Sequence, residues 1–567
     1  MNQWKWPFAV WIAAGVLASG AAAQKPSPNA VIQALEAESQ RAMKILATND
    51  PAPYFVGYQV NDISTVSVDA EGGALQSTNE EHQRLLDVEV RVGDYVLDNT
   101  HQVRGAGGGS SRAGSMLMPL DDDVDALRSV IWLETDRRYK ASVEQLIRVK
   151  TNRATRVDEE DVSGDFTVEP GRTASMSVAP VRPKISEWET RARAYSALFR
   201  QYPEILEGTA GFSSQVVQRY VVNSEGTSVQ SGVTLLRLSL YARVRAEDGM
   251  ELYRFESFDA HSLDGLPDDK TVTKTIEKMI SDLRALRAAP VIEPFTGPAI
   301  LSGRASGVFF HEIFGHRIEG SRQKSENDGQ TFTKQINQPV LPDFLSVVDD
   351  PTTERIGDTE LNGYYRYDDE GVAAQRVTVV ENGVLKNFLM SRAPVAGFMQ
   401  SNGHGRKEPG YRSVGRQGNL IVQASRTVND ATLRQMLIEE AKRQGKTYGL
   451  LFDDISGGFT LTDRSSPQAF QVTPIMVYRV YVDGRPDELV RGADLIGTPL
   501  TSFSKIVAAS DKVDIFNGFC GAESGYVPVS AVSPSILTTQ IEVQKKAKSS
   551  DLQPILPPPP AQPGASS

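Results

Sequence analysis

Two hydrophobic periods alternate along the first half of the chain. Apolar positions spaced three and four residues apart predict helices over residues 28–48, 124–153 and 271–288. Strict alternation in residues 87–92, and apolar runs separated by turn residues between 213 and 258, predict strands. This half of the chain is therefore expected to combine helices with a sheet.

The second half is richer in strand and turn signals. Residues 377–385 predict a hairpin, because Asn382 and Gly383 are the residue types that a tight two-residue turn prefers. A second hairpin is predicted after residues 474–482, and one helix over residues 430–445. The fold class expected from these patterns is α+β, with a helix and strand region followed by a β-rich C-terminal domain.

Prolines indicate a domain boundary and a C-terminal tail. Pro290 and Pro294 predict a boundary between an N-terminal α/β region (24–290) and a C-terminal domain (291–545). The tail after it, residues 546–567, contains four consecutive prolines. We expect this tail to be disordered or to adopt polyproline II structure.

The N-terminus has the pattern of an export signal. After Lys5, the stretch from Trp6 to Ala23 carries no charge and ends in three alanines. Its apolar centre is shorter than the roughly 20 residues that cross a bilayer. We expect a signal peptide over residues 1–23, with an uncleaved anchor as the alternative. The protein is then exported, periplasmic in a Gram-negative source, and without a stable membrane span.

The charge and the cysteine content of the chain limit its partners and the roles of its cysteine. The net charge of −11 argues against nucleic acid or an anionic membrane as the main partner. Cys520 is the only cysteine, so no intramolecular disulfide forms. Composition alone favours Cys520 as a small buried apolar residue. The alternative is a thiolate bound to a metal.

The run from His311 to His316 holds two imidazoles with Glu312 between them, the residue types of a zinc peptidase. In the common motif H-E-x-x-H the histidines lie four apart, whereas here they lie five apart. Five residues advance about 500° on an ideal helix and leave the two rings about 140° apart. We therefore expect a short, buried helix that begins near Ser306 and has a π-bulge, which Gly315 tolerates. A chance pair of buried core histidines is the alternative.

Seven segments of the second half resemble the TldD/PmbA family of bacterial metallopeptidases. They are HEIFGHRIEG (311–320), VVDD (347–350), DDEG (368–371), VENGVLKNFL (380–389), ISGG (455–458), RGADLIGTPL (491–500) and GFCGAESGYVPVS (518–530). Their order and spacing extend over residues 311–530, which is more specific than any single motif. The first half resembles the family only loosely. The family is usually cytoplasmic, so the export signal is a departure from it.

The resemblance implies that His311, His316 and Cys520 bind zinc, and that Glu312 is the general base. It thereby favours the metal-bound alternative for Cys520. Two neutral imidazoles and one thiolate fill three positions of a tetrahedral zinc site and leave the fourth for water. Glu319 is either a partner of His316 or an exposed helix residue.

Four further residues are candidates for contacts with a substrate. His404 and Arg406, in a glycine-flanked run, are candidate donors to the oxyanion, with solvated loop residues as the alternative. Gly457 and Gly458 allow close approach to the backbone, where an extended peptide can add to a sheet edge.

The function expected is zinc-dependent hydrolysis of unfolded or flexible peptides by an exported enzyme. The resemblance implies paired subunits, either a homodimer or a heterodimer with a related subunit, and places the substrate cavity and dimer contacts in the region 24–290. One alternative is a non-catalytic peptide-binding or assembly subunit, and another is a hydrolase of other substrates. A metal site closed by four protein ligands would favour the non-catalytic alternative.

Overall fold

The computed structural model describes residues 29–103, 113–154, 161–325, 327–464, 470–497, 502–546 and 556. The predicted signal peptide, and the predicted tail apart from residues 546 and 556, lie outside these ranges. The N-terminal elements are α1 (Ala30–Leu46), β1 (Pro53–Glu71), β2 (Ala74–Val92), β3 (Met116–Leu117), α2 (Val124–Ala154), β4 (Thr173–Ser175), α3 (Ile185–Phe199), β5 (Ile205–Asn223), β6 (Ser228–Arg245), β7 (Glu251–Ala260) and α4 (Asp269–Ala288).

A seven-stranded sheet forms the N-terminal half, in the order β3-β2-β1-β5-β6-β4 with β7 paired to β6. Two apolar clusters contain residues of β1: Val56, Tyr58 and Val60 pack with α1 and α2, whereas Val68 and Ala70 pack with α3 and α4. The helices therefore cover two different stretches of the same long strands. The predicted helices and strands of this half are confirmed, with helix ends displaced by only a few residues.

The C-terminal elements begin after α4. They are β8 (Phe295–Leu301), α5 (Gly303–Ile313), α6 (Ser321–Lys324), β9 (Leu345–Asp349), β10 (Arg355–Ile356), β11 (Thr359–Glu360), β12 (Val377–Glu381), β13 (Val384–Leu385), β14 (Gly405–Arg406), β15 (Val414–Gly415), β16 (Asn419–Ala424), α7 (Asp430–Arg443), β17 (Tyr448–Thr460), β18 (Phe470–Tyr481), β19 (Glu488–Val490), β20 (Ala493–Gly497), β21 (Ile506–Ala522) and β22 (Gly525–Lys545).

An eleven-stranded sheet organises this half, in the order β13-β12-β9-β16-β22-β20-β18-β17-β8, with β19 on β18 and β21 on β22. The predicted hairpin β12–β13 is confirmed, and Asn382 and Gly383 have the positive φ angles of 46° and 82° that its turn requires. The α+β class with a β-rich C-terminal domain is confirmed. Within the described ranges, no helix has both the length and the apolar composition needed to cross a bilayer.

The helix α5 lies inside the C-terminal core. Val308, Phe309, Phe310 and Ile313 are all at most 3% exposed and pack in one cluster with residues of the large sheet. A helix that is apolar on every side is stable only when it is buried on every side. The polar residues at its C-terminal end are therefore held in a fixed, largely dry environment.

A buried ion pair joins the two halves of the molecule. Arg254 on β7 donates to Asp454 on β17 over 2.6 Å, and its side chain is 3% exposed. Removing one partner leaves an uncompensated buried charge, which costs about 3–5 kcal/mol. We expect Arg254→Met to lower the free energy of unfolding by about this amount in urea denaturation.

An exposed pair provides the control for that variant. Arg426 and Asp343 are 69% and 82% exposed in their side chains, and such pairs contribute about 0–1 kcal/mol. Arg426→Met should therefore leave the unfolding curve nearly unchanged. Equal destabilisation by the two variants would contradict a larger stabilising contribution from the buried pair.

Candidate metal centre

The helix α5 ends before the second histidine. Ser302 caps its start by accepting a hydrogen bond from the Ala305 N–H, so the predicted start near Ser306 is wrong. The helix ends at Ile313, and a single 3-10 turn over Gly315–Arg317 carries His316. The predicted π-bulge is also wrong: the chain leaves the α-helix and tightens instead of adding a residue. His316 still faces His311, with ring centroids 5.2 Å apart.

Gly315 is required by a close approach from a distant segment. A Cβ atom at this position would lie 2.0 Å from Oε1 of Gln417, which is too close for any heavy atom. The Gln417 amide in turn donates to the main-chain oxygen of His311 over 3.4 Å. The glycine therefore allows Gln417 to pack across the end of the helix, which the local sequence does not reveal.

The hairpin of β21 and β22 brings Cys520 to the two histidines. Cys520 Sγ lies 3.3 Å from His316 Nε2, and one ligand atom from each of His311, His316 and Cys520 lies within 4.8 Å of the others. All three residues are buried, with exposures of 8%, 6% and 5%. Donors around one tetrahedral zinc ion are separated by about 3.5 Å. The cluster therefore has the size that a single metal ion requires.

The electrostatics of the cluster favour a thiolate. Burial alone would raise the pKa of the Cys520 thiol, but the two imidazoles lower it well below its usual range. Burial would likewise lower the pKa of His316, but Cys520 and Glu319 raise it well above its usual range. Cys520 is therefore more than a small apolar residue, although its side chain also packs against Val527 and Val529. Such a sulfur is ready to bind a cation.

Glu312 lies beside the cluster and not in it. Its Oε2 is 4.0 Å from His316 Nε2, and its side chain is 12% exposed. A Cβ atom on Gly458 would lie 3.0 Å from Glu312 Cγ, so β17 packs directly against this glutamate. Gly457 has nothing within 4 Å of the corresponding position. The structure thus places Gly458 and Glu312, the predicted base, beside the group of His311, His316 and Cys520.

Glu319 is a partner of His316 and not an exposed helix residue. Its side chain is fully buried, and its Oε2 lies 3.2 Å from His316 Nδ1. Donation from Nδ1–H to this carboxylate leaves Nε2 of His316 free to bind a metal. The Glu319 carboxylate also accepts from Arg322 over 2.8 Å. Burial would raise the pKa of Glu319, but His316 and Arg322 lower it well below its usual range.

His404 and Arg406 are held in structural contacts. His404 is fully buried, with Nε2 at 3.2 Å from Asp349 and Nδ1 at 3.0 Å from the main-chain oxygen of Asn402. Arg406 donates to the main-chain oxygen of Gln417 over 2.7 Å. Neither is a solvated loop residue, because both are at most 6% exposed. Their role in stabilising an oxyanion stays a prediction that these contacts do not support.

Arg317 was not singled out by the sequence patterns, but it connects the turn that carries His316 to β17. Its guanidinium donates to the main-chain oxygen of Ile313 over 3.0 Å, to Thr460 Oγ1 over 2.8 Å and to the main-chain oxygen of Leu461 over 3.2 Å. Burial lowers the pKa of Arg317 to about 10. The end of the helix and the end of the strand are therefore fixed relative to each other.

Comparisons with known proteins identify the family that this chain resembles. Residues 295–545 match the model of the PmbA/TldA metallopeptidase C-terminal domain. A metalloprotease from Methanocaldococcus jannaschii is 27% identical over 324 residues, which are 57% of this chain and 66% of that relative. A zinc metalloprotease TldD homolog from Saccharolobus solfataricus is 27% identical over 253 residues, which are 43% of this chain and 51% of that relative.

The fold is also found among solved structures. TldE from Thermococcus kodakarensis superposes with a TM-score of 0.57, covering 90% of this chain and 100% of that one at 15% identity. At this identity the likeness shows the fold alone. The chain spans 66% and 51% of the lengths of the two curated relatives described above. Their names therefore support a metallopeptidase family and not a particular substrate.

Proposed function

Because this chain is a member of the TldD/PmbA family of metallopeptidases, we propose that it is an exported, zinc-dependent peptidase that hydrolyses unfolded or flexible peptides. One observation carries the proposal: His311, His316 and Cys520 converge from a helix end and a distant hairpin, with Glu312 directly beside them. The N-terminal signal pattern supports export. The name of one relative, a zinc metalloprotease, supports zinc as the metal.

The donor set fits zinc. Two imidazole nitrogens and one thiolate are ligands that zinc prefers, and three protein ligands are typical of catalytic zinc sites. Among the described residues, the cluster contains these three donors and no fourth. This supports catalysis over the alternative of a non-catalytic subunit with a closed, structural metal site.

The residues around the cluster have separate tasks in the proposed reaction. Zinc, when bound, supplies a Lewis acid that polarises a water molecule and the scissile carbonyl. Glu312 accepts a proton from the attacking water and returns it to the leaving amine. Glu319 fixes the orientation and the tautomer of His316 through Nδ1. Arg317 and Gly458 keep β17 against the base.

The strand β17 is the proposed docking site for the peptide. It pairs with β18 along its length but with β8 only at Leu450–Phe452. From residue 453 to 460, no further strand pairs with its other edge in the parts of the chain that the structure describes. An extended peptide that paired there would pass beside Gly458 and Glu312. Most backbone groups of a folded substrate are already hydrogen-bonded to each other, which supports unfolded or flexible peptides.

We propose that the protein works as a pair of subunits, either a homodimer or a heterodimer with a related chain. The likeness in fold to TldE supports a related chain as a partner. This chain carries the complete set of His311, Glu312, His316 and Cys520. It would therefore be the catalytic member of a heterodimer.

Peptide cleavage in the presence and absence of a chelator tests the proposed function. Purified protein is incubated with a mixture of unstructured peptides, and the products are identified by mass spectrometry. We expect cleavage that a zinc chelator abolishes and that added zinc restores. Cleavage that persists at full rate in metal-free protein would contradict a metal-dependent mechanism. No cleavage of any peptide by zinc-loaded protein would favour the non-catalytic alternative.

A further inference from the structure

A buried arginine lies behind the sulfur of the proposed metal site. Arg416, just after β15, has a fully buried side chain. One terminal nitrogen of its guanidinium donates to Cys520 Sγ over 3.1 Å and to the main-chain oxygen of Cys520 over 2.8 Å. The sulfur therefore faces a positive charge on one side and the imidazole of His316 on another.

The same arginine also contacts the carboxylate that orients His316. Arg416 Nε lies 3.3 Å from Glu319 Oε1, and Glu319 Oε2 lies 3.2 Å from His316 Nδ1. An arginine guanidinium stays protonated in proteins, so Arg416 is a cation at this position. The Arg416 cation therefore contacts both Glu319, the partner of His316, and the sulfur of Cys520.

We propose that Arg416 is a positioning residue of the metal centre that withdraws charge from the Cys520 thiolate and holds it toward the two imidazoles. This inference rests on the proposed zinc site and adds to it a residue that binds neither metal nor substrate. A thiolate ligand lowers the net charge at zinc and so weakens its action as a Lewis acid. A charged hydrogen bond to the sulfur offsets this effect, because it reduces the electron density that the sulfur donates.

A purely structural role is the competing explanation. Arg416 also donates to Ser524 Oγ over 2.8 Å and to the main-chain oxygen of Gly525 over 3.2 Å, at the tip of the β21–β22 hairpin. If Arg416 served only to make these contacts, substitution of Arg416 would change the stability of the hairpin. It would not change the electronic character of the sulfur in a variant that folds.

Cobalt substitution separates the two explanations, because a cobalt-bound thiolate gives a sulfur-to-metal charge-transfer band. The probe is Co²⁺ added to metal-free wild-type protein and to Arg416→Lys and Arg416→Met. We expect the band to move to lower energy in both variants, and further in Arg416→Met, because the sulfur loses a bond that stabilises its electrons. Zinc affinity, measured by chelator competition, should fall about 10- to 100-fold, because the sulfur is no longer held toward the two imidazoles.

A further variant serves as a control. Arg406→Lys changes another buried arginine, one that donates to the main-chain oxygen of Gln417 and not to sulfur, and it should leave the band in place. Lysine keeps a cation at position 416 but not the planar fork of donors. If Arg416→Met fails to fold, Arg416→Lys therefore still decides the result.

The outcomes distinguish this inference from the proposed function. An unmoved sulfur band in either folded Arg416 variant overturns the role of Arg416 and leaves the metal site intact. Binding of Co²⁺ to wild-type protein without any sulfur band removes Cys520 from the ligand set, and both proposals fail. A band that shifts only in the Arg416 variants supports both.

Discussion

Replacing Glu312 with glutamine is expected to abolish most peptide hydrolysis while leaving the bound metal in place. The amide has nearly the shape of the carboxylate, but it cannot accept a proton from water. A general base contributes about 10²- to 10⁴-fold to the rate, so kcat should fall by about this factor. Because Glu312 lies beside the cluster, 4.0 Å from His316 Nε2, zinc content should match that of the wild type.

A distant glutamate provides the control for this variant. Glu439, an exposed residue of α7, is changed to glutamine and assayed in parallel, and its kcat should equal that of the wild type. Turnover in Glu312→Gln at the wild-type rate would mean that another group takes the proton. A large loss of zinc in Glu312→Gln would instead place this carboxylate among the ligands.

Replacing Cys520 with alanine is expected to remove the metal. The change deletes one of three donors and leaves two imidazoles to hold the ion. Disturbing a residue that only orients a ligand lowers metal affinity about 10- to 100-fold, and loss of a ligand should exceed this range. Zinc per chain, measured by elemental analysis after dialysis, should fall close to zero, and hydrolysis should fall with it.

Val527 offers a matched control for Cys520. It is the cross-strand partner of Cys520 and is 2% exposed in the same small apolar cluster. Val527→Ala removes side-chain volume at the same place in the hairpin without removing a metal donor. It should lower stability but retain zinc. Equal loss of zinc in both variants would attribute the effect to packing, and unchanged zinc in Cys520→Ala would exclude the sulfur as a ligand.

Much of the fold could be predicted because its signals are local. The apolar period over residues 28–48 predicts a helix that the structure places at Ala30–Leu46, and Asn382 with Gly383 predicts a turn that forms as expected. Propensity and periodicity within a short window are sufficient for such elements. The prediction of His311, Glu312 and His316 as site residues was also possible from a local signal, because all three lie within six residues of sequence.

The local geometry of the site could not be predicted because distant residues determine it. The 3-10 turn replaces the predicted π-bulge where Gln417, about a hundred residues further along the chain, packs against Gly315. The composition of the chain predicts that Cys520 is a small buried apolar residue. Its sulfur reaches the histidines only through the pairing of β21 with β22. Arg416 has no motif of its own. The glycine-flanked His404 suggested a loop, yet it is completely buried and contacts Asp349.

X-ray absorption at the zinc edge of the purified protein tests most directly whether His311, His316 and Cys520 hold one zinc ion. The expected spectrum contains one sulfur neighbour at about 2.3 Å and three nitrogen or oxygen neighbours at about 2.0–2.1 Å, two of them with the scattering pattern of imidazole. In Cys520→Ala, any zinc that remains should lack the sulfur contribution. A wild-type spectrum without sulfur would contradict the proposed metal centre.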